Sequence, residues 1–141
     1  MATTQGRIAW RGLGLLGKPD DAWQRLKPDV FSIRNTTFED YVEPLVHEIK
    51  VRRADLLSDL KQPEKRAGYL ALASGCYHVL AEGIGTADDV PPECGVIIAT
   101  PTQMVIARSA PRRTMSLAFH HWMALTKAQR VHADEGLESQ L

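Results

Sequence analysis

The sequence predicts an α/β protein, a sandwich with a mixed β-sheet at its centre. Three observations lead there. Val46 to Val51 alternates as a strand does, and from Arg53 the period turns helical. Strand-like apolar runs then return at Cys76 to Ala81, Gly95 to Thr100 and Gln103 to Arg108. With 141 residues, 44% of them apolar and 24% charged, the chain suits one folded domain with its own core.

Taken in order, residues 1–27 are an irregular lead-in with one short strand, because Gly6, Gly12, Gly14, Gly17 and Pro19 interrupt any helix. Ile8, Trp10, Leu13, Leu15, Leu16 and Trp23 are apolar enough to pack it on the domain, which spans 28–128. Asp29 to Arg34 reads as an extended run. Asn35-Thr36-Thr37 is a turn-rich stretch, and Pro44 marks the start of the next strand, where a missing donor is tolerated. Leu56, Leu57 and Leu60 share one face of a first helix. Pro63 ends it and suits the first turn of a second, which runs to about Ser74. Glu82 to Cys94 is an acidic loop, and the two strands after it make an antiparallel pair about Pro101-Thr102. Thr114 caps a last helix with a stripe of Met115, Ala118, Phe119, Trp122 and Leu125; residues 129–141 are a polar tail.

The chemistry concentrates between Pro28 and Lys50. Strand side chains alternate between faces, so Glu48 and Lys50 lie together on one face while Ile49 and Val51 take the other. Burying an acid and an ammonium in such a run is costly unless they have a partner or a task. A hairpin would bring Asp29 beside them, so that Asp29, Glu48 and Lys50 converge.

Pro28-Asp29 followed by Glu48-Ile49-Lys50 resembles the PD-(D/E)XK phosphodiesterase superfamily. EIKVRRADLLSDLKQPEKRAGY is similar to the corresponding stretch of its MmcB-like DNA-repair family. The resemblance covers roughly Lys27 to Ala110 and includes the Lys65-x-x-x-Tyr69 spacing. It implies a restriction-endonuclease-like three-layer sandwich, a central mixed sheet flanked by helices, that cleaves DNA with Mg²⁺ or Mn²⁺. Asp29, Glu48 and the Ile49 carbonyl would hold the metal. Lys50 would acidify the attacking water or stabilise charge on the phosphate. Lys65 would contact phosphate and Tyr69 would orient Glu48 or Lys50. Relatives commonly begin with a helix bearing a further acid; here the acids before Asp29 are Asp20 and Asp21, in a loop-like stretch.

Net charge is zero, but Lys50, Arg52, Arg53, Lys61, Lys65 and Arg66 cluster after the motif, and Arg108, Arg112, Arg113, Lys127 and Arg130 form a second basic group. Arg52, Arg53, Lys65 and Arg66 are the candidate contacts to a DNA backbone; a solvated mixed surface is the alternative. Cys76 and Cys94 lack metal-ligand spacing and read as buried reduced thiols. His47 should face away from Glu48, His78 reads as a core histidine, and His120-His121 cannot chelate one ion from one helix face. No signal pattern opens the chain, and no apolar run nears the roughly 20 residues a spanning helix needs, so the expected compartment is the cytoplasm.

Three readings follow. A metal-dependent DNA nuclease acting in repair, alone or with a second copy or protein partner, stands first. A non-catalytic DNA-binding or adaptor module on the same scaffold stands second, motivated by the missing acid. A structural domain in which Glu48 and Lys50 form only a salt bridge stands third.

Overall fold

A six-stranded mixed sheet forms the centre of the computed structural model, which describes residues 6–18 and 23–131. Its spatial order is β1 (Arg7–Arg11), β4 (Val30–Arg34), β5 (Leu45–Lys50), β6 (Gly75–Ala81), β7 (Gly95–Ala99) and β8 (Met104–Arg108). A separate antiparallel pair, β2 (Leu15–Gly17) and β3 (Gln24–Leu26), lies between β1 and β4 in the chain. Strands β5, β6 and β7 run parallel to one another; β1–β4, β4–β5 and β7–β8 are antiparallel.

A parallel pair needs a crossover. Between β5 and β6 it is supplied by α1 (Arg53–Leu60) and α2 (Pro63–Leu72), the latter with Pro63 in its first turn, where a missing N–H costs nothing. Between β6 and β7 the crossover is the acidic loop, which contains one 3₁₀ turn, Ala87–Asp89. Arg108 holds this loop, donating to the carbonyls of Ala87, Val90, Pro91 and Cys94 at 2.8 to 3.1 Å.

Strand alternation divides the core in two. Trp10, Phe31, Val46, Cys76, Leu80 and Val96 share one face with Leu56 of α1, Tyr69 and Leu72 of α2, and Leu125 of α3 (Phe119–Lys127). The other face carries Leu45, Tyr77, Val79 and Ile97, covered by Ala110. The buried side chains of all three described α-helices thus belong to one face, together with Leu15 and Leu26 of the small sheet. Glu48, Lys50 and His78 have the same parity as Val46 and Cys76, and so lie on the helix side.

Three elements differ from the sequence expectation. The lead-in carries three strands rather than the one expected: β2 and β3 pair with each other, and β1 is an edge strand of the central sheet, flanked by Gly6 and Gly12 at positive φ (87° and 61°), with Val131 bridging to its Ala9. The buried face of α1 is Leu56 and Asp59 rather than a leucine stripe, and Leu57 is exposed. The last helix starts at Phe119, so Thr114 is not its cap and Met115 lies outside it. Phe119 is 77% exposed, and the buried positions are His121 and Leu125. His121 accepts the Ala118 N–H at Nδ1 (3.1 Å) and donates from Nε2 to the Leu16 carbonyl (2.8 Å), which fixes that start.

Candidate functional site

Register alone brings the acids together. Val30 pairs with His47 across the antiparallel β4–β5 ladder, so Asp29, one residue earlier, faces Glu48. The backbone seals the arrangement. The Asp29 N–H donates to Glu48 Oε2 at 2.9 Å, and the Ile49 N–H donates to Asp29 Oδ2 at 2.7 Å. Each carboxylate caps a backbone donor of the other's strand.

Glu48 is 2% exposed, whereas Asp29 is open to solvent. Together they line a cleft of about 350 Å³ with Arg25, Lys27, Lys50, Lys65 and Tyr69. The five residues singled out from sequence as catalytic therefore share one cavity. A slightly larger depression, about 390 Å³, lies elsewhere around Glu43, Arg112 and Ser116. There Glu43 is paired by Arg7, Arg34 and Arg112, and the acid's charge is spent on them.

Two of the cleft's cations, Lys50 and Lys65, are held by a residue the sequence reading missed. Asp59 Oδ1 lies 3.0 Å from Lys65 Nζ and 3.4 Å from Lys50 Nζ, and Asp59 Oδ2 lies 3.1 Å from His78 Nε2. Lys65 also reaches Glu48 Oε1 at 3.2 Å. Burial works against charge on Asp59, but the hydrogen bonds from His78 and Lys65 prevail and hold its pKa far below the carboxylate range. Lys65 is the mirror image: burial opposes its charge, yet Asp59 and Glu48 raise its pKa. Burial raises the Tyr69 phenol, and the Glu48 charge adds to it, so Tyr69 keeps its proton. Its hydroxyl donates to the Lys27 carbonyl at 3.4 Å, and its ring lies beneath Lys65 Nζ, 5.7 Å from the centroid.

Not every expected contact is free for a ligand. Arg53 bonds the Ile84 carbonyl (2.9 Å) and pairs with Asp89 (3.6 Å), and Arg66 pairs with Glu93 (3.0 Å). Arg52 is exposed. Arg108 and Arg113 of the second basic group are spent on backbone carbonyls. Asp20, Asp21 and His132 lie outside the described residues. His47 does face away from Glu48 and stacks on Tyr77 with ring centroids 5.5 Å apart.

Cys76 and Cys94 are buried free thiols, as expected, but spacing in sequence misled about their surroundings. Parallel pairing of Tyr77 with Gly95 sets Cys76 beside Cys94, and His78 is two residues further along the same face. Ligand atoms of Cys76, His78 and Cys94 lie within 4.8 Å of one another, the one such three-donor group among the described residues. The legible signals were Cys-x-His at strand period and an acid in the apolar stripe of α1.

The protein-family models contain no match to the chain, and no curated protein matches it. Among solved structures it is similar to the SPO1766 protein of unknown function from Silicibacter pomeroyi. That likeness has a TM-score of 0.59 at 23% identity and covers 96% of this chain and 77% of the other. It supports the mixed α/β fold. No helix among the described residues is long and apolar enough to cross a membrane.

Proposed function

We propose that the protein is a metal-dependent phosphodiesterase acting on DNA, with a restriction-endonuclease-like core of the MmcB-like kind, working in the cytoplasm in DNA repair. One observation supports this above the others. Asp29 and the buried Glu48 are cross-locked at 2.7 and 2.9 Å in a cleft that also holds Lys27, Lys50, Lys65 and Tyr69.

The donor set fits a hard cation. Two carboxylates supply oxygen ligands, which Mg²⁺ and Mn²⁺ prefer, and Asp29 Oδ1 has no protein donor among the described residues. Asp29 and Glu48 would hold the ion, with the Ile49 carbonyl beside them. When bound, it supplies a polarised phosphate oxygen and an acidified water. The chain's own groups do the rest. Lys65, kept protonated by Asp59 and Glu48, offers its ammonium to a phosphate oxygen. Lys50, tethered by Asp59, sets a second positive charge on the same face. Tyr69 remains a phenol and packs beneath Lys65 rather than acting as a base. Arg25 and Lys27 line the cleft and extend its positive rim toward a DNA backbone.

A second reading, a DNA-binding or adaptor module without catalysis, draws on Glu48 itself. Its Oε2 is taken by the Asp29 N–H and its Oε1 by Lys65, so the acid is already satisfied. One experiment separates the two. Mn²⁺ is titrated calorimetrically into wild type and Asp29→Ala, and both are then incubated with supercoiled, linear and branched DNA with and without chelator. The first reading expects heat and nicking from wild type alone, both abolished by chelator. Absence of heat and of nicking in wild type overturns it. DNA binding that persists in chelator and ignores Lys50→Ala would establish the second.

A further inference from the structure

We propose that Cys76, Cys94 and His78 form a second, soft metal site: a buried two-sulfur, one-nitrogen set for a single thiophilic d¹⁰ ion, Zn²⁺ or Cu⁺. Cys76 and His78 stand on β6 and Cys94 immediately precedes the parallel strand β7. Their ligand atoms lie within 4.8 Å of one another, with Cys76 and Cys94 at 0% exposure and His78 at 2%. Two buried thiols alone would be ordinary core filling. The imidazole is what core filling leaves unexplained. His78 Nδ1 is buried without a hydrogen-bond partner, while Nε2 is engaged by Asp59 Oδ2 at 3.1 Å. A carboxylate on one ring nitrogen with the other left free is the arrangement that orients a metal-binding histidine. Asp59 thereby fixes the ring and leaves Nδ1 for the ion.

The donor chemistry is unlike that of the Asp29–Glu48 pair. Thiolate and imidazole select Zn²⁺ or Cu⁺ over Mg²⁺ and Mn²⁺. Three protein donors in a sealed pocket suit low-coordinate Cu⁺ directly, whereas Zn²⁺ requires a fourth ligand. Cys94 is held in place beforehand, since its carbonyl accepts from Arg108 at 2.9 and 3.1 Å. An ion here would clamp β6 to the loop that leads into β7. It would also set His78, and through it the Asp59 carboxylate that positions Lys50 and Lys65.

The test reads metal content, so it is independent of any nuclease activity. Reduced, metal-free full-length protein is titrated with Zn²⁺, and anaerobically with Cu⁺, against a chromophoric chelator in excess Mg²⁺. Co²⁺ loading is followed by its thiolate-to-metal charge-transfer absorption. Wild type should bind about one equivalent of one of these ions with sulfur ligation. Cys76→Ala/Cys94→Ala should lose that binding, and Asp59→Asn should weaken it about tenfold to a hundredfold. Whichever ion wins the competition identifies the occupant. Should the double variant not fold, alkylation of the two thiols in wild type replaces it, and the ion should slow their modification. Wild type binding neither ion more tightly than the variant, or thiols modified equally fast with and without metal, overturns the proposal.

Discussion

Asp59→Asn is the most informative single substitution, because one carboxylate joins three cationic or proton-bearing partners. Asparagine keeps the shape and removes the charge. Asp59 is 8% exposed, and its contacts to Lys50, Lys65 and His78 are 3.4, 3.0 and 3.1 Å. The Lys65 side chain is 32% exposed, so solvent screens its share to at most about 1 kcal/mol. Lys50 at 12% and His78 at 2% are shielded, and removing their counter-charge leaves them poorly compensated. Breaking a buried charge network of this kind costs about 3 kcal/mol. With an unfolding entropy of about 2.1 cal/mol/K per residue over 141 residues, that is a fall of about 10 °C in Tm. Urea unfolding of metal-free protein in chelator, followed by tryptophan fluorescence and circular dichroism, measures it. A loss below about 1 kcal/mol would refute the argument, since it would make Asp59 equivalent to a solvated surface acid.

Two further outcomes are expected. His121 is neutral by geometry, accepting from Ala118 at Nδ1 and donating to Leu16 from Nε2, and burial, followed by the charge of His120, outweighs the Leu16 bond to lower its pKa. A histidine pKa depressed by folding contributes stability above its unfolded value of about 6.5 and loses it as pH falls. His121→Ala should therefore cost about 1 kcal/mol at pH 8 in urea unfolding, and the gap to wild type should narrow toward pH 5; an unchanged gap would mean the ring carries no cap. Gly95→Ala places a Cβ 2.4 Å from the Tyr77 ring and 2.6 Å from the Ala110 amide nitrogen. Neither neighbour can easily yield, so a loss of about 3 kcal/mol is expected, read from the urea midpoint; a near-neutral variant would show that this part of the sheet is loosely packed.

What was legible in the sequence followed from short-range periods. Asp29 and Glu48 were placed together because a period of two and a hairpin leave little choice of face, and the β4–β5 register agrees. Pro63 marked the start of α2 because its missing donor is tolerated there. What was not legible depends on partners distant in the chain. The sequence implies one short strand in the lead-in but not its place at the edge of the central sheet, because the β1 ladder is completed by β4 residues 19 to 27 positions away. Counting leucines put Leu57 inside α1, whereas Asp59 takes the buried position and is satisfied by Lys50, Lys65 and His78 from three other elements. Cys94 joined Cys76 and His78 only through parallel strand pairing, which separation in sequence conceals.

Charge balance in the cleft bears on how the two functional readings differ. Asp29, Glu48 and Asp59 carry three negative charges. Lys50, Lys65 and His78, whose pKa is lowered by burial but raised to about 9 by its bonds to Asp59 and Cys94, return three positive ones. The cluster therefore balances overall, and only its exposed end, at Asp29, is negative. A phosphate pressed against Asp29 would be repelled in the absence of a cation. A bare binding module would gain more affinity by placing lysine or arginine at position 29 than by keeping an acid there. Arg25 and Lys27 offset this only at the rim, where salt screens them. Metal-free DNA binding through this cleft should thus be weak and confined to the rim. A divalent ion on the Asp29–Glu48 pair would reverse the local sign. Under the proposed function, an exposed acid at position 29 opposes phosphate in the metal-free protein and suits a metal-dependent site, so DNA binding through this cleft that requires the ion is the outcome that separates the two readings.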